Sequence, residues 1–217
     1  MQRNPRTSKI KSISGEGNYR LSQEDRSFLR DLGRTHFISE SIAHKEHYNN
    51  RKTPAHRRLD KLVDNGILRS HIFHDEKLGK QKVYSFASDS VAKAWGGKQS
   101  NFGRNRSLKH ELVVTELYFA LNRPSDFRKD GQFTKMDKAG FPKIKVQGRS
   151  TFMAPDALYT DTSTGEIIFV EGDSGQYTKT QIRSKQVAWK GYRQVWGQPL
   201  RTAAPISSGG SVSVFRF

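Results

Sequence analysis

Acidic side chains cluster in the stretch MAPDALYTDTSTGEIIFVEGD, which covers residues 153–173. Two apolar segments, TFMAPDALY and EIIFVEG, flank the turn-forming DTSTG, and this pattern predicts a β-hairpin. A hairpin centred near residues 163 and 164 places Asp156 opposite Glu171, and strand alternation places Asp173 on the same face as Glu171. The spacing therefore predicts three carboxylates in one neighbourhood.

Carboxylates at the end of a buried strand are costly unless a positive group meets them. Mg²⁺ or Mn²⁺ held by Asp156 and Glu171 would meet that need, polarise a phosphodiester and supply a hydroxide. In the structural alternative, Asp156 and Asp173 only end strands or turns, and Glu171 pairs with a Lys or Arg. Spacing alone leaves both interpretations open.

The charge of the chain indicates an anionic partner. Its 217 residues include 38 Lys and Arg against 21 Asp and Glu, a formal net charge of +17. The excess is +9 in residues 1–100 and +8 in residues 101–217, so both halves are expected to face a polyanion. Double-stranded DNA is the predicted partner. RNA is the weakest rival, because no aromatic platform for single strands is visible.

Cellular location is inferred from what the sequence lacks. Cysteine is absent, which excludes disulfides and agrees with a reducing cytoplasm. No apolar run approaches a membrane span, and the start MQRNPRTSKIKS lacks the apolar centre of a secretion signal. We expect a soluble cytoplasmic protein with no membrane partner and with a flexible basic arm over residues 1–20.

Three helices and a hairpin are predicted in the first half. Ser22 caps a helix that buries Phe28, Leu29 and Leu32 and stops at Gly33. A weaker helix follows in SESIAHKEHY. The third, in RKTPAHRRLDKLVDNG, has Thr53 as its cap, Pro54 at its first position and Gly66 as its stop. The segments ILRSHIFH and QKVYSF then form a hairpin.

This order of elements is typical of a winged helix. The third helix divides into an apolar face and a cationic face, which is what a recognition helix in the major groove requires. The hairpin would reach a phosphate backbone or the minor groove. The predicted DNA-binding residues are Arg51, Lys52, Thr53, His56, Arg57, Arg58, Lys61, Lys77, Lys80 and Lys82.

The second half has a different pattern of elements. SLKHELVVTELYFALN predicts a helix, residues 175–197 predict another, and SVSVFRF predicts a final strand. With the hairpin between them, this is the layout of the PD-(D/E)xK nuclease core, whose first strand should then lie within residues 130–149. We expect an α+β protein with a winged helix-turn-helix domain (21–97) followed by an α/β nuclease-like domain (104–217).

The chain resembles the replication-relaxation family of plasmids, phages and integrative elements. The resemblance covers about residues 20–195 and is carried by RRLDKLVDNGIL, HELVVTELYFAL, APDALY and FVEGDSGQYTKTQIRSKQVAWKGY. It implies a winged helix joined to a nuclease-like domain, with an acid-x-Asp motif after the third strand. It also implies a site lined by Asp156, Glu171, Asp173, Lys185 and Glu116.

Function is predicted at two levels. We expect a DNA-binding protein of a mobile element that acts at a specific site in replication, mobilisation or transcriptional control. A relaxase, a replication protein or a second copy in a homodimer are the expected protein partners. The alternative is an active Mg²⁺- or Mn²⁺-dependent endonuclease or nickase. Catalysis stays open because Asp173 stands where the nuclease pattern carries lysine, although Lys185 could substitute.

Overall fold

The chain divides into two compact units, Met1–Leu108 and Lys109–Phe217. The structure is a computed structural model. It describes residues 19–75, 79–102, 105–129, 131–141, 143–146, 149–152, 154–172, 178, 180, 183, 187, 193–198 and 211–216. Helices and strands occur in both units, so the protein is of the mixed α+β class. No helix in this described part is both long and apolar enough to span a membrane.

The first unit combines helices with one antiparallel sheet. In chain order its elements are α1 (Gln23–Thr35), β1 (Ile38–Ser39), α2 (Glu40–His47), α3 (Lys52–Asp64), β2 (Leu68–Asp75), β3 (Gly79–Phe86) and α4 (Asp89–Ala94). The strands lie in the order β1-β3-β2. The predicted helices and hairpin are thus present, while β1, whose two residues pair with Tyr84 and Val83, was not predicted.

Helix α1 begins where the sequence predicts and ends two residues later than predicted. The Asp25 backbone N–H donates to Ser22 Oγ, and the Ser22 N–H donates to Asp25 Oδ2, which completes a capping box. Gly33 does not stop the helix. A Cβ at this position would lie 2.5 Å from the Trp95 carbonyl oxygen, so Gly33 is needed where α1 passes the backbone near Trp95.

Helix α3 ends as predicted and begins differently. Gly66 has φ 66°, its N–H donates to Val63 O at 2.9 Å, and the Ile67 N–H donates to Leu62 O at 3.0 Å. These two hydrogen bonds form a Schellman motif. Thr53 is not the cap, because the helix starts at Lys52 with Arg51 before it and without a side-chain cap.

Apolar side chains from all three predicted helices share the core of the first unit. Those completely or almost completely buried are Phe28, Leu29, Leu32, Ile42, Ala43, Ala55, Leu59 and Leu62. The ring of Phe28 meets that of Tyr84 on β3 edge to face, at a centroid distance of 6.3 Å. The helices therefore pack on the face of the sheet that carries Tyr84.

The second unit is built around a mixed sheet. Its elements are α5 (Asn105–Ala120, which begins just before the unit boundary), β4 (Arg128–Lys129), α6 (Lys135–Ala139), β5 (Lys143–Val146), β6 (Arg149–Phe152), β7 (Ala157–Thr160), β8 (Ile167–Gly172), β9 (Arg193–Gln198) and β10 (Ser211–Arg216). Five strands lie in the order β10-β9-β8-β7-β4, and β5 pairs only with β6. Strands β8 and β9 are parallel, whereas the other pairs are antiparallel.

Three predictions about this unit are wrong in detail. The segment TFMAPDALY forms two strands, β6 and β7, and Pro155, which has no N–H to donate, lies between them. The helix predicted over residues 175–197 cannot extend to its end, because β9 starts at Arg193. A strand does lie within 130–149, but this strand, β5, does not join the large sheet.

The predicted central hairpin is present. Strands β7 and β8 pair with Tyr159 opposite Ile168. Val170 packs with Val114 and Leu117 of α5, whereas Phe169 packs with Phe133 and Phe141. Strand β8 is therefore covered on both faces, as its continuous apolar run predicts.

Candidate functional site

Helix α3 presents two different faces. Ala55, Leu59 and Leu62 are completely buried against the first unit, and Arg57 and Lys61 are exposed. The 3.6-residue period of the helix produces this division, since the buried positions recur at spacings of three and four. The predicted cationic face is therefore present for Arg57 and Lys61.

Several predicted DNA-binding residues near α3 and β3 are exposed. Within the described part of the chain, no carboxylate forms an ion pair with the following cations: Arg51, Lys52, Arg57, Lys61 and Lys80. Thr53 is also exposed, and Lys77 lies outside the described residues. These exposed cations are the groups best placed to meet phosphates.

Arg58, also predicted to bind DNA, pairs with an acid inside the first unit. Its guanidinium forms an ion pair with the completely buried Asp25 of α1, and only 29% of the Arg58 side chain is exposed. The Tyr19 ring lies 5.0 Å from the guanidinium carbon. Hydrogen bonding to Asp25 raises the pKa of Arg58. Arg58 thus fixes α3 to α1 and is not a free cation for DNA.

The buried Asp25 carboxylate accepts hydrogen bonds from several donors. Besides Arg58 and the Ser22 N–H, the Tyr48 hydroxyl donates to it at 3.1 Å and the Tyr19 hydroxyl at 3.3 Å. Burial, with the Asp25 charge adding to it, raises the pKa of Tyr19 to about 12 and also raises the pKa of Tyr48. Both tyrosines are therefore neutral hydrogen-bond donors at physiological pH.

Two further predicted DNA-binding residues are held by acids. His56 Nδ1 lies 2.6 Å from Glu40 Oε1, and His56 Nε2 lies 3.1 Å from Asp60 Oδ2. Lys82 Nζ lies 2.6 Å from Asp60 Oδ1. His44, at 3.8 Å from Glu40, is more buried, and burial lowers its pKa. The Lys82 charge is therefore offset locally, and both ring nitrogens of His56 have acidic partners.

The second unit brings Asp156 and Glu171 together as predicted. Ala157 pairs with Val170, and the Asp156 N–H donates to Val170 O at 3.1 Å, so Asp156 and Glu171 occupy facing positions. Glu171 is completely buried. Helix α5 packs close to this strand end, since a Cβ at Gly172 would lie 2.9 Å from Val114 Cγ2.

Asp156 already has two donors. His110 Nε2 of α5 lies 2.9 Å from Asp156 Oδ1, and the Gly172 N–H donates to Asp156 Oδ2 at 2.8 Å. Burial works to lower the pKa of His110, but the hydrogen bond to Asp156 together with the charges of Asp156 and Glu111 outweighs it, and the pKa is raised. The neighbouring Glu111 forms an ion pair with Lys129 of β4, whose side chain is 3% exposed.

His110, Glu111 and Lys129 were not predicted as site residues. The sequence offered one usable signal, since the adjacent His110 and Glu111 directly precede a mostly apolar stretch of the same helix, LVVTELYFA. It could not identify their partners on β4 and at the start of β7. His110 and the Gly172 N–H give Asp156 partners from within the chain, so Asp156 does not depend on a divalent cation for them.

A bound metal fits the described residues only in part. Asp156 and Glu171 are hard oxygen donors of the kind that Mg²⁺ and Mn²⁺ prefer, yet both Asp156 oxygens already accept hydrogen bonds. Glu116 is half-buried on α5, while Asp173 and Lys185 lie outside the described residues. Across the described ranges, no three His, Asp or Glu side chains surround a common metal position.

No family model, curated protein or solved structure matches the chain. The resemblance to the replication-relaxation family therefore stays a prediction.

Proposed function

We propose that this chain is a double-stranded DNA-binding protein of a mobile element. It recognises a site through a winged helix formed by the first unit and acts in replication, mobilisation or transcriptional control. The second unit is a variant of the PD-(D/E)xK nuclease domain and a place for a relaxase, a replication protein or a second copy to bind. Mobile-element origin and these partners rest on the family resemblance.

One observation carries the DNA-binding proposal. Helix α3 buries Ala55, Leu59 and Leu62 while it exposes Arg57 and Lys61 on its other side. Its 13 residues give a length of about 20 Å, which suits insertion into a major groove about 12 Å wide. Lys80, on the adjoining hairpin, extends the cationic surface to a second element.

The test compares two double variants of the full chain in titrations against labelled duplexes. Arg57→Ala/Lys61→Ala removes two cations from α3, and Arg30→Ala/Lys93→Ala removes two exposed cations from α1 and α4. We expect the α3 variant to lose at least about tenfold in affinity and the control to lose much less, since a lost contact costs about 1–3 kcal/mol. Equal losses would remove α3 from the interface.

Sequence specificity needs a separate measurement. Duplexes selected from a random pool should bind more tightly than bulk DNA, by about 10³ or more for a specific regulator. If every duplex has the same affinity, the site-specific part of the proposal is wrong. A reporter gene driven from a selected site then distinguishes transcriptional control from a role in replication or mobilisation.

A metal-dependent endonuclease is the second candidate, and the facing positions of Asp156 and Glu171 favour it. These two residues would hold Mg²⁺ or Mn²⁺, which supplies Lewis-acid activation of the phosphodiester and of water when bound. Supercoiled plasmid is incubated with the wild type, Asp156→Ala and the turn variant Asp161→Ala in each metal. Nicking by the wild type and Asp161→Ala, but not by Asp156→Ala, supports an enzyme; no nicking, or equal nicking by all, contradicts it.

A further inference from the structure

Two acids beside the cationic face of α3 contact His56 of the same helix and Lys82 of β3. Glu40, the first residue of α2, and Asp60, in the middle of α3, together contact His56. Asp60 also holds Lys82 of β3. We name Glu40 and Asp60 the acid pair.

Asp60 is committed through both of its oxygens. Oδ1 lies 2.6 Å from Lys82 Nζ, and Oδ2 lies 3.1 Å from His56 Nε2. The Asp60 side chain is nevertheless 39% exposed, so it lies at the surface that would meet DNA. Glu40 reaches the other ring nitrogen of His56 at 2.6 Å. The Lys82 ammonium and both ring nitrogens of His56 therefore already have acidic partners when DNA arrives.

A DNA phosphate would have to compete with Asp60 for Lys82 and for His56. Each cation that pairs with phosphate releases counterions from DNA and strengthens binding to any sequence. A cation that stays with Asp60 releases none, and the exposed carboxylate itself repels the DNA backbone. That repulsion is offset only where a base edge donates to the carboxylate, as the amino group of cytosine does. Repulsion of wrong partners is a general source of specificity.

Resting on the DNA-binding function proposed above, we propose that Asp60, supported by Glu40, is a specificity determinant of this surface. It withholds His56 and Lys82 from non-specific phosphate contacts and adds a negative charge that poorly matched DNA cannot offset. Arg57, Lys61 and Lys80 then carry most of the sequence-independent attraction. The acid pair thus lowers affinity for bulk DNA more than affinity for the correct site.

The first test compares Asp60→Asn with Asp64→Asn, which removes an exposed charge from the same helix one turn later. No cation pairs with Asp64 in the described part of the chain. Affinities for a random duplex and for a selected duplex are measured at several salt concentrations. We expect Asp60→Asn to release Lys82 and so to tighten random-duplex binding by about five- to tenfold at 0.1 M salt. The slope of log affinity against log salt concentration should become steeper by about one.

Asp64→Asn should change the affinity less and leave the salt slope unchanged. Asp60→Asn should also lower the ratio of the affinity for the selected duplex to the affinity for the random duplex. Equal behaviour of Asp60→Asn and Asp64→Asn, in affinity and in slope, overturns the inference. Far-UV circular dichroism and melting temperature establish that each variant is folded.

A second test leaves α3 unchanged. Lys80→Gln and Lys82→Gln remove cations two residues apart on β3, of which only Lys82 is held by Asp60. In the wild-type background, Lys80→Gln should weaken binding more than Lys82→Gln. In the Asp60→Asn background, Lys82→Gln should remove much of the gained affinity, which a double-mutant cycle measures as coupling. If Lys82→Gln lowers the affinity for DNA by the same factor in both backgrounds, the proposed role of Asp60 is wrong.

The two proposals fail in different ways. If the wild-type chain binds no duplex, the proposed function is wrong and the inference falls with it. If the wild type binds DNA through Arg57 and Lys61 but the Asp60 and Lys82 variants behave as their controls, only the inference is wrong.

Discussion

Asp25 shows how one buried carboxylate can organise a cationic surface. It accepts hydrogen bonds from the Ser22 N–H, two tyrosine hydroxyls and the Arg58 guanidinium. The same side chain thus helps to cap the start of α1 and holds α3 through Arg58, which lies 33 residues further along the chain. A charge that appears in the sequence to be available for DNA is used instead to set the position of its helix.

Replacing Asp25 should therefore destabilise the first unit strongly. Asp25→Ala leaves Arg58 and two hydroxyls without their acceptor, and breaking a buried ion pair from one side costs about 3–5 kcal/mol. Glu24→Ala, which removes the exposed acid next to it in the same helical turn, should cost less than about 1 kcal/mol. Urea unfolding of the full chain measures both values. Equal costs for the two variants would mean that Asp25 acts only through the helix dipole.

At the level of elements, α1 and the segment after α4 approach so closely that side chains are excluded. Gly33 and Gly97 face each other: a Cβ at Gly97 would lie 2.7 Å from Gly33 Cα. Both glycines contribute to the same backbone contact within the first unit. This contact explains why a glycine stands inside a helix, where it lowers helix propensity by about 1 kcal/mol relative to alanine.

Gly33→Ala should consequently lower stability although alanine is the better helix former. A Cβ 2.5 Å from the Trp95 carbonyl oxygen forces the backbones apart, and overpacking of this kind costs about 1–3 kcal/mol. Gly140→Ala is the matched substitution, since its φ is −83° and its nearest new contact is at 3.5 Å. Differential scanning calorimetry should show a lower melting temperature for Gly33→Ala alone. A higher melting temperature for this variant would show that the contact yields easily.

Across the whole molecule, positive charge exceeds negative charge in both halves of the chain. The structure reduces the part of that excess that is available locally, because Arg58, Lys82 and Lys129 are held by carboxylates. The formal net charge of +17 is unchanged by such pairing, so long-range attraction to a polyanion persists. Association with DNA should accordingly depend strongly on ionic strength.

Salt titration gives a quantitative prediction for the intact chain. If about six phosphates are contacted, affinity for duplex DNA should fall by about 10³ between 50 and 200 mM salt. Fluorescence anisotropy at fixed pH measures the slope of log affinity against log salt concentration. A slope near zero would mean that the excess charge does not contact DNA.

Local chemistry allowed part of this structure to be predicted. Ser22 caps the start of α1, Gly66 ends α3 in a left-handed conformation, and DTSTG forms the turn of the β7–β8 hairpin. Each of these features depends only on residues a few positions apart, so each can be predicted from the sequence. The facing positions of Asp156 and Glu171 follow from that turn. The division of α3 into buried and exposed faces follows from its period alone.

Tertiary packing decided which of the charged side chains pair with a group from a distant part of the chain. Arg58 meets Asp25, Lys82 meets Asp60 and His110 meets Asp156, and each pair joins side chains more than 20 residues apart in the chain. Likewise, β9 forms because it pairs with β8, and β5 lies outside the large sheet despite its position in the sequence. Periodicity and spacing report on neighbours along the chain, whereas an ion pair or a strand pairing depends on which distant segments the folded core brings within a few ångströms.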